Sequence, residues 1–311
     1  MFSHILFRIQ LVLFSFFLLP MLAAPVGAQT CSDCEISNQS VASANARLNL
    51  TDAQKRAAED RHLPFGLHRA PANASNEFLL HQREWLTWYD GDLRVPLWVA
   101  YELTRADAVA TRPRRNCFRQ DPRLSAEFSA TCEDYDRDPF DRGHIIPRSD
   151  LNRSLTAMAN SFILSNMAPQ FANFNRIGKV WEVLENKVRR WAISTGKIYV
   201  ISGSVFDRDG DGRRDRDADA QRAGETRRVA VLSHFYKIII HVRPNGFIDT
   251  ISFLLPHDNV SESNPDAYLR SHIVSIDEIE AVTGIDFFPD IEDAREAATE
   301  SFEAPGLWQV N

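Results

Sequence analysis

The sequence predicts an α+β fold, a central and mostly antiparallel sheet with packed helices and long loops. Three observations predict it. Pro96-Leu97-Trp98-Val99-Ala100-Tyr101 is dense in apolar β-formers. Ile177, Val180, Trp181, Leu184, Val188 and Trp191 instead recur at helical spacing, which makes one apolar stripe. Pro244-Asn245-Gly246 separates two further β-rich stretches as a hairpin turn, and a hairpin joins its strands antiparallel.

In chain order, His4 and Arg8 precede an apolar run over 9–22 that is interrupted by Gln10, and Val26-Gly27-Ala28 follow. That is the pattern of a secretory signal peptide over 1–28, cleaved after Ala28 or, second, after Ala24. A single membrane anchor is the other reading of the run. With the segment cleaved, the body has no further span and is expected to be secreted, extracellular or periplasmic. Residues 29–64 read as an N-terminal leader. Its first part, 29–50, is small and polar and is expected to be loose. Thr51 and Gln54 then form a capping box that opens a short helix ending near His62. The main domain is placed at 65–300, with a tail at 301–311.

Within the domain, 105–140 reads as a long loop rich in Arg, Asp and Pro, and loops of that length are usually functional. The helix after Asn175 is expected to end at Gly196. Strands are expected at 198–206, 229–242 and 247–255. A last helix opens at the Ser275/Glu278 capping box and stops at Gly284.

The formal charge of −7 excludes a protein coated in non-specific basic charge, although arginines cluster locally between Arg112 and Arg153. Four cysteines, Cys31, Cys34, Cys117 and Cys132, allow three pairings. Cys117 with Cys132 is the expected pair, because the two flank one loop-like stretch. Cys31 and Cys34 form a C-x-x-C with no second pair at zinc-finger spacing, so zinc is not expected.

The chemistry is concentrated in Asp141-Arg142-Gly143-His144, Asn166-Met167-Ala168-Pro169-Gln170, Asn175 and Trp181-Glu182-Val183-Leu184-Glu185. Phosphodiester hydrolysis needs a base for water and a cation on the phosphate oxygens. A histidine titrates near working pH, and Asn is a neutral hard-oxygen ligand of the kind Mg²⁺ takes beside its own waters. A carboxylate can orient those waters, and an arginine can clamp phosphate. Taken singly, each residue has a plainer reading: a structural histidine, or an Asn capping the next helix. Their order is what points to a site.

That order resembles the DNA/RNA non-specific endonuclease family, the ββα-metal (His-Me finger) nucleases of the Serratia nuclease and endonuclease G type. The signature D-R-G-H stands here as Asp141 to His144, and N-x-x-P-Q as Asn166 to Gln170. Pro96 to Leu103 resembles the P-L-W-V-A-Y-x-L strand, and Ser233-His234-Phe235-Tyr236-Lys237 the T-H-F-Y-K strand. Asp277-Glu278-Ile279-Glu280 through Thr283-Gly284-Ile285-Asp286-Phe287-Phe288-Pro289 resembles the closing block. The likeness runs over roughly residues 65–292.

The resemblance implies a hydrolase that cuts DNA and RNA with little sequence preference and leaves 5′ phosphates. It implies His144 as general base, Asn175 as ligand of a catalytic Mg²⁺ or Mn²⁺, and Glu185 on the metal-bound waters. Arg142 lies near the phosphate, and Asn166 supports the site. The upstream transition-state arginine is best matched by Arg115, with Arg114 adjacent. A homodimer is compatible with the family. The gap from Asn175 to Trp181 is two residues longer than usual, so Glu182, seven residues after Asn175 on an ideal helix, competes with Glu185. A non-catalytic nucleic-acid-binding relative is the first alternative, and a secreted calcium-binding scaffold the second.

The scaffold alternative rests on a separate acidic loop. Asp207, Asp209, Asp211, Arg213 and Asp215 occupy positions 1, 3, 5, 7 and 9 of an EF-hand-like calcium loop, with Gly212 at position 6. Position 12 is Ala218, where a bidentate Glu would stand. Structural Ca²⁺ is the expectation there.

Overall fold

A computed structural model describes residues 29–68, 76–135, 139–259 and 261–309. The signal-peptide segment expected over 1–28 lies outside the described residues. The strands are β1 (Glu77–His81), β2 (Leu86–Asp90), β3 (Val95–Thr104), β4 (Phe140–His144), β5 (Met167–Phe171), β6 (Lys197–Val205), β7 (Arg222–Ala223), β8 (Val229–Ala230), β9 (His234–Val242), β10 (Ile248–Pro256) and β11 (Ile273–Val274). The helices are α1 (Asn38–Ala46), α2 (Asp52–His62), α3 (Arg105–Ala108), α4 (Leu155–Ser161), α5 (Ala172–Asn175), α6 (Val180–Thr195), α7 (Pro265–Arg270), α8 (Ile276–Thr283) and α9 (Asp293–Glu300).

β3 shows why the sheet is central. Side chains alternate across a strand. Val95, Leu97, Val99, Tyr101 and Leu103 pack into one core, which also holds Trp181, Leu184, Val188 and Trp191 of α6. Trp98 and Ala100 pack into a second core with Ile276, Ile279 and Val282 of α8. Both faces are therefore covered, and the strand reads as an unbroken apolar run rather than a half-polar one. Seven strands pair around it in the order β1-β2-β3-β6-β9-β10-β11, each pair antiparallel. The α+β fold with an antiparallel sheet is as the sequence predicts. No helix among the described residues is long and apolar enough to cross a membrane.

Several expectations need correction. The helix does not begin directly after Asn175. Asn175 ends the single turn α5, Gly178 takes a left-handed φ of +76°, and α6 starts only at Val180. Ile177 therefore falls outside the apolar stripe and is 92% exposed. Gly196, at φ +91°, does end α6. The Thr51/Gln54 and Ser275/Glu278 capping boxes are both formed. Helix α8 is not the last, since α9 follows it.

The leader is not loose. Cys31 N–H donates to the Phe118 carbonyl at 2.9 Å, and Glu35 N–H to the Asn116 carbonyl at 2.7 Å. The leader thus runs alongside 116–118, and its cysteines meet those of the long loop. The disulfides are Cys31–Cys132 and Cys34–Cys117, not Cys117–Cys132. Nearness in sequence was no guide, because backbone pairing between distant segments decides which thiols meet. The tail is also seated: Ala304 and Leu307 are buried, and Trp191 Nε1 donates to the Trp308 carbonyl at 3.0 Å.

His62 pins α2 to β3. Its Nδ1 accepts the Glu102 N–H at 3.0 Å, so its Nε2 carries the proton that reaches the Arg83 carbonyl at 3.0 Å. Burial pushes its pKa down from 6.5 to about 4. A protonated ring would lose the Glu102 bond, so the folded state keeps it neutral while the unfolded chain takes up a proton below 6.5. The contribution is present above 6.5 and is lost as pH falls toward 4, by about 3 kcal/mol. Urea unfolding at pH 7, 5.5 and 4.5 should show this decline in the wild type and a shallower one in His62→Gln; equal slopes would refute the assignment.

Candidate active site

Strands β4 and β5 form their own antiparallel pair, with Asp141 opposite Gln170, Gly143 opposite Ala168 and His144 opposite Met167. The D-R-G-H and N-x-x-P-Q blocks are therefore the two arms of one hairpin-like unit. The unit is closed by Asn166. Its carbonyl accepts the Ile145 N–H at 3.0 Å. Its buried side chain accepts the Ile146 N–H at 3.1 Å and donates to the Ile146 and Ser161 carbonyls at 3.1 and 2.9 Å. Asn166 thus holds the chain that leaves His144 and points no free group at solvent. Its role is to position.

The far end of the unit is held by two more contacts. Asp141 takes Arg176 bidentately at 2.9 and 3.0 Å, which ties β4 to the residue after Asn175. Phe171 N–H donates to His257 Nε2 at 3.0 Å, while His257 Nδ1 meets the Leu232 carbonyl at 3.2 Å. Burial lowers the His257 pKa to about 4, which keeps that Nε2 an acceptor.

These contacts frame a cleft of about 970 Å³. His144, Asn175, Glu182 and Glu185 line it, together with Arg114, Arg142, Arg148, Arg176, Asp33 and Asp141. The His144 ring stands edge-on to Phe162, centroids 4.8 Å apart, and near Phe118 at 5.9 Å. Its Nε2 is buried without a partner among the described residues. Burial, then the Arg114 and Arg148 guanidiniums, push its pKa down to about 3, so the imidazole is neutral at physiological pH. The same aromatic pair supports cations, with Arg142 4.9 Å above Phe118 and Arg114 5.4 Å above Phe162.

Most carboxylates at the cleft already have partners. Asp33 pairs with Arg142 at 3.2 Å and Asp141 with Arg176. Glu182 accepts the Gly178 N–H at 3.1 Å and the Asn186 amide, so it closes the start of α6. Glu185 has no hydrogen bond or ion pair from the described residues. Burial pushes its carboxyl up, partly offset by Lys237. The Asn175 amide likewise meets no described partner, and the cap of the following helix is Lys179 rather than Asn175. Asn175 and Glu185 are therefore uncommitted oxygen donors in the cleft among the described residues, hard ligands of the kind that Mg²⁺ accepts.

The profile of the DNA/RNA non-specific endonuclease family matches residues 69–294. The chain belongs to this family. It is similar to the nuclease EXOG of Xenopus laevis mitochondria, 32% identical over 210 residues, covering 66% of this chain and 56% of that protein. It is also similar to venom phosphodiesterase 2 of Crotalus adamanteus, 27% identical over 291 residues, covering 86% of this chain and 35% of that protein. Ectonucleotide pyrophosphatase/phosphodiesterase family member 3 of Rattus norvegicus is 25% identical over 268 residues, covering 79% of this chain and 30% of that protein. The chain thus spans about a third of the length of these phosphodiesterases.

Among the expected site residues, the cleft brings together His144, Arg142, Asn175 and Glu185, while Asn166 lies behind it. Arg115 is exposed and is not among the lining residues; Arg114 is. Which of two neighbouring side chains faces the cleft is set by the path of the loop, and that path depends on the Cys34–Cys117 bond just beyond it. Sequence reasoning did not single out Arg148, Arg176, His257 or Asp33. Only Arg148 carried a local signal, four residues after His144.

In the acidic loop, oxygens of Asp207, Asp209 and Asp215 lie within 4.8 Å of one another, and Asp211 stands outside that group. Gly212 N–H donates to Asp207 Oδ2 at 3.2 Å, and Asp207 Oδ1 is buried without a partner.

Gly143 offers a test of the β4–β5 geometry. A Cβ at this position would fall 2.1 Å from Gln170 Oε1 and 2.4 Å from its Cγ, in a buried site. Gly143→Ala should fold with a loss of about 1–3 kcal/mol in urea unfolding, and Gly143→Ala/Gln170→Ala should recover most of it. No loss in the single variant would show that β4 and β5 are not so closely apposed.

Proposed function

We propose that this endonuclease-family chain hydrolyses phosphodiester bonds of DNA and RNA with little sequence preference, leaving 5′ phosphates and 3′ hydroxyls. One observation carries the reading: a neutral imidazole and two uncommitted oxygen donors share one cleft with four guanidiniums. The second carboxylate candidate, Glu182, is already committed to Gly178 and Asn186, which favours Glu185.

His144 is the general base. Neutral at working pH, it takes a proton from the attacking water on a ring nitrogen. A pKa of about 3 suits the empty cleft, where Arg114 and Arg148 repel the imidazolium. A phosphate beside those guanidiniums cancels the repulsion and raises the imidazole toward the range where proton transfer is efficient. Arg114 and Arg142 hold the non-bridging oxygens. Asn175 supplies an amide oxygen to Mg²⁺ or Mn²⁺, and Glu185 orients the metal's waters. When bound, the metal stabilises charge on the phosphate and on the leaving 3′ oxygen. Asn166 keeps the His144 strand end in place.

Two further parts belong to this reading. The loop of Asp207, Asp209 and Asp215 is a structural Ca²⁺ site, with the Arg213 carbonyl at the position where such loops use backbone oxygen. Its support is the buried, unpartnered Asp207 Oδ1. The protein also works outside the cell, since two disulfides suit an oxidising compartment. The venom relatives agree with that placement.

Purified protein should cut both plasmid DNA and RNA in Mg²⁺ and neither in EDTA; cutting in EDTA would refute metal dependence. His144→Ala should lower turnover by about 10²–10⁴-fold while circular dichroism and Tm stay near wild type. Asn175→Ala should move the Mg²⁺ requirement upward together with a loss of rate, and an unchanged Mg²⁺ titration would remove it from the ligand set. Arg114→Ala should cost roughly tenfold or more, with Arg115→Ala close to neutral; the reverse order would return the role to Arg115.

A further inference from the structure

The carboxylates at the cleft are spent differently. Asp141 ties Arg176 to β4, and Glu182 closes the start of α6. Asp33 reaches in from the leader and takes Arg142 of the D-R-G-H block, whose Nη1 lies 3.2 Å from its Oδ2 and 3.4 Å from its Oδ1. Asp33 sits in a turn that the Cys34 N–H closes on the Cys31 carbonyl at 3.2 Å. A cysteine stands at each end of that turn, one bonded to Cys132 and the other to Cys117. The Cys31 N–H also holds the Phe118 carbonyl, and the Phe118 ring is the one beneath Arg142. The carboxylate is therefore carried to Arg142 on a frame anchored at both ends.

That frame does not depend on the ion pair. Two disulfides and backbone pairing already fasten the leader, and a pair whose Asp33 side chain is 44% exposed adds little. Both contacts run to one nitrogen, so Asp33 does not engage the guanidinium as a fork. Two oxygens of a phosphate can do so, through two parallel charge-assisted bonds. A phosphate in the cleft thus displaces Asp33. We propose that Asp33 sets the affinity of the cleft for nucleic acid by standing on Arg142 where a substrate phosphate binds, a role that rests on the reading of the cleft as a phosphodiester site. An incoming polyanion must move a group of its own charge, which weakens binding. The same carboxylate returns to Arg142 as product leaves. Asp33 lies outside the residues matched to the family, so this competitor is added by the leader rather than by the matched region.

The experiment uses the mature chain and a fluorescein-labelled single-stranded DNA oligonucleotide in EDTA, with binding read by anisotropy. Asp33→Asn should lower the Kd by roughly 3–10-fold, with Tm near wild type. In Mg²⁺, KM should fall by the same factor. Placed in an Arg142→Gln background, Asp33→Asn should change the Kd little, because the contact it relieves is gone. Glu35→Gln is the control for charge alone. Glu35 is two residues away, accepts the Asn116 N–H at 2.8 Å and does not line the cleft, so its Kd should match wild type. An unchanged Kd in Asp33→Asn overturns the proposal, as does an equal gain in Glu35→Gln or in the Arg142→Gln background. A change in kcat with KM unmoved also overturns it. Wild-type protein that neither binds nor cuts nucleic acid removes the phosphodiester reading and this role with it. Wild-type protein that binds and cuts, with Asp33→Asn identical to it, removes this role alone.

Discussion

Asn166 makes three side-chain hydrogen bonds to backbone, all buried, and the geometry of the cleft depends on them. They join the end of β4 to the start of β5, which is where His144 leaves its strand. Without them, the Ile146 N–H and two carbonyls would be buried unpaired, each at a cost of about 1–3 kcal/mol. Gly143 belongs to the same constraint, since the adjacent Gln170 side chain occupies the space a Cβ would need. Position in the D-R-G-H block is therefore a packing requirement as much as a chemical one.

The electrostatics of the cleft are local and opposite in sign to those of the chain. The protein carries −7 formally, yet four arginines line one cavity. Arg114 and Arg148 help hold His144 neutral, and Arg114 and Arg142 lie over the aromatic rings that enclose it. Acidic partners temper the field: Asp141 engages Arg176, and Asp33 engages Arg142. Asp33 comes from the leader, between the two leader cysteines and outside residues 69–294. Cross-linking thus makes a segment beyond the family's matched region part of the cleft wall.

How much could be read in the sequence varies with the range of the interaction involved. The capping boxes at Thr51 and Ser275 were legible because three adjacent positions make them. The β3 run was legible because burial on both faces removes polar residues from the whole strand. The stripe on α6 was legible from Val180 onward. Ile177 fitted the periodicity and still fell outside, because Gly178 turns the chain before the helix starts. Glu182 seemed aligned with Asn175 only on the assumption of one continuous helix.

What the sequence determined by itself was the family, the antiparallel α+β class, and the order of the blocks that carry histidine, amide and carboxylate. Those rest on short-range patterns and on residue chemistry, which do not depend on how the chain closes. Tertiary structure decided the cysteine pairing across 101 and 83 residues, which of Arg114 and Arg115 lines the cleft, and the meeting of α8 and α9 through their carboxylates. Each of these depends on which distant segments are brought side by side. That outcome is set by the burial of two separate cores on one sheet, not by any local run of residues.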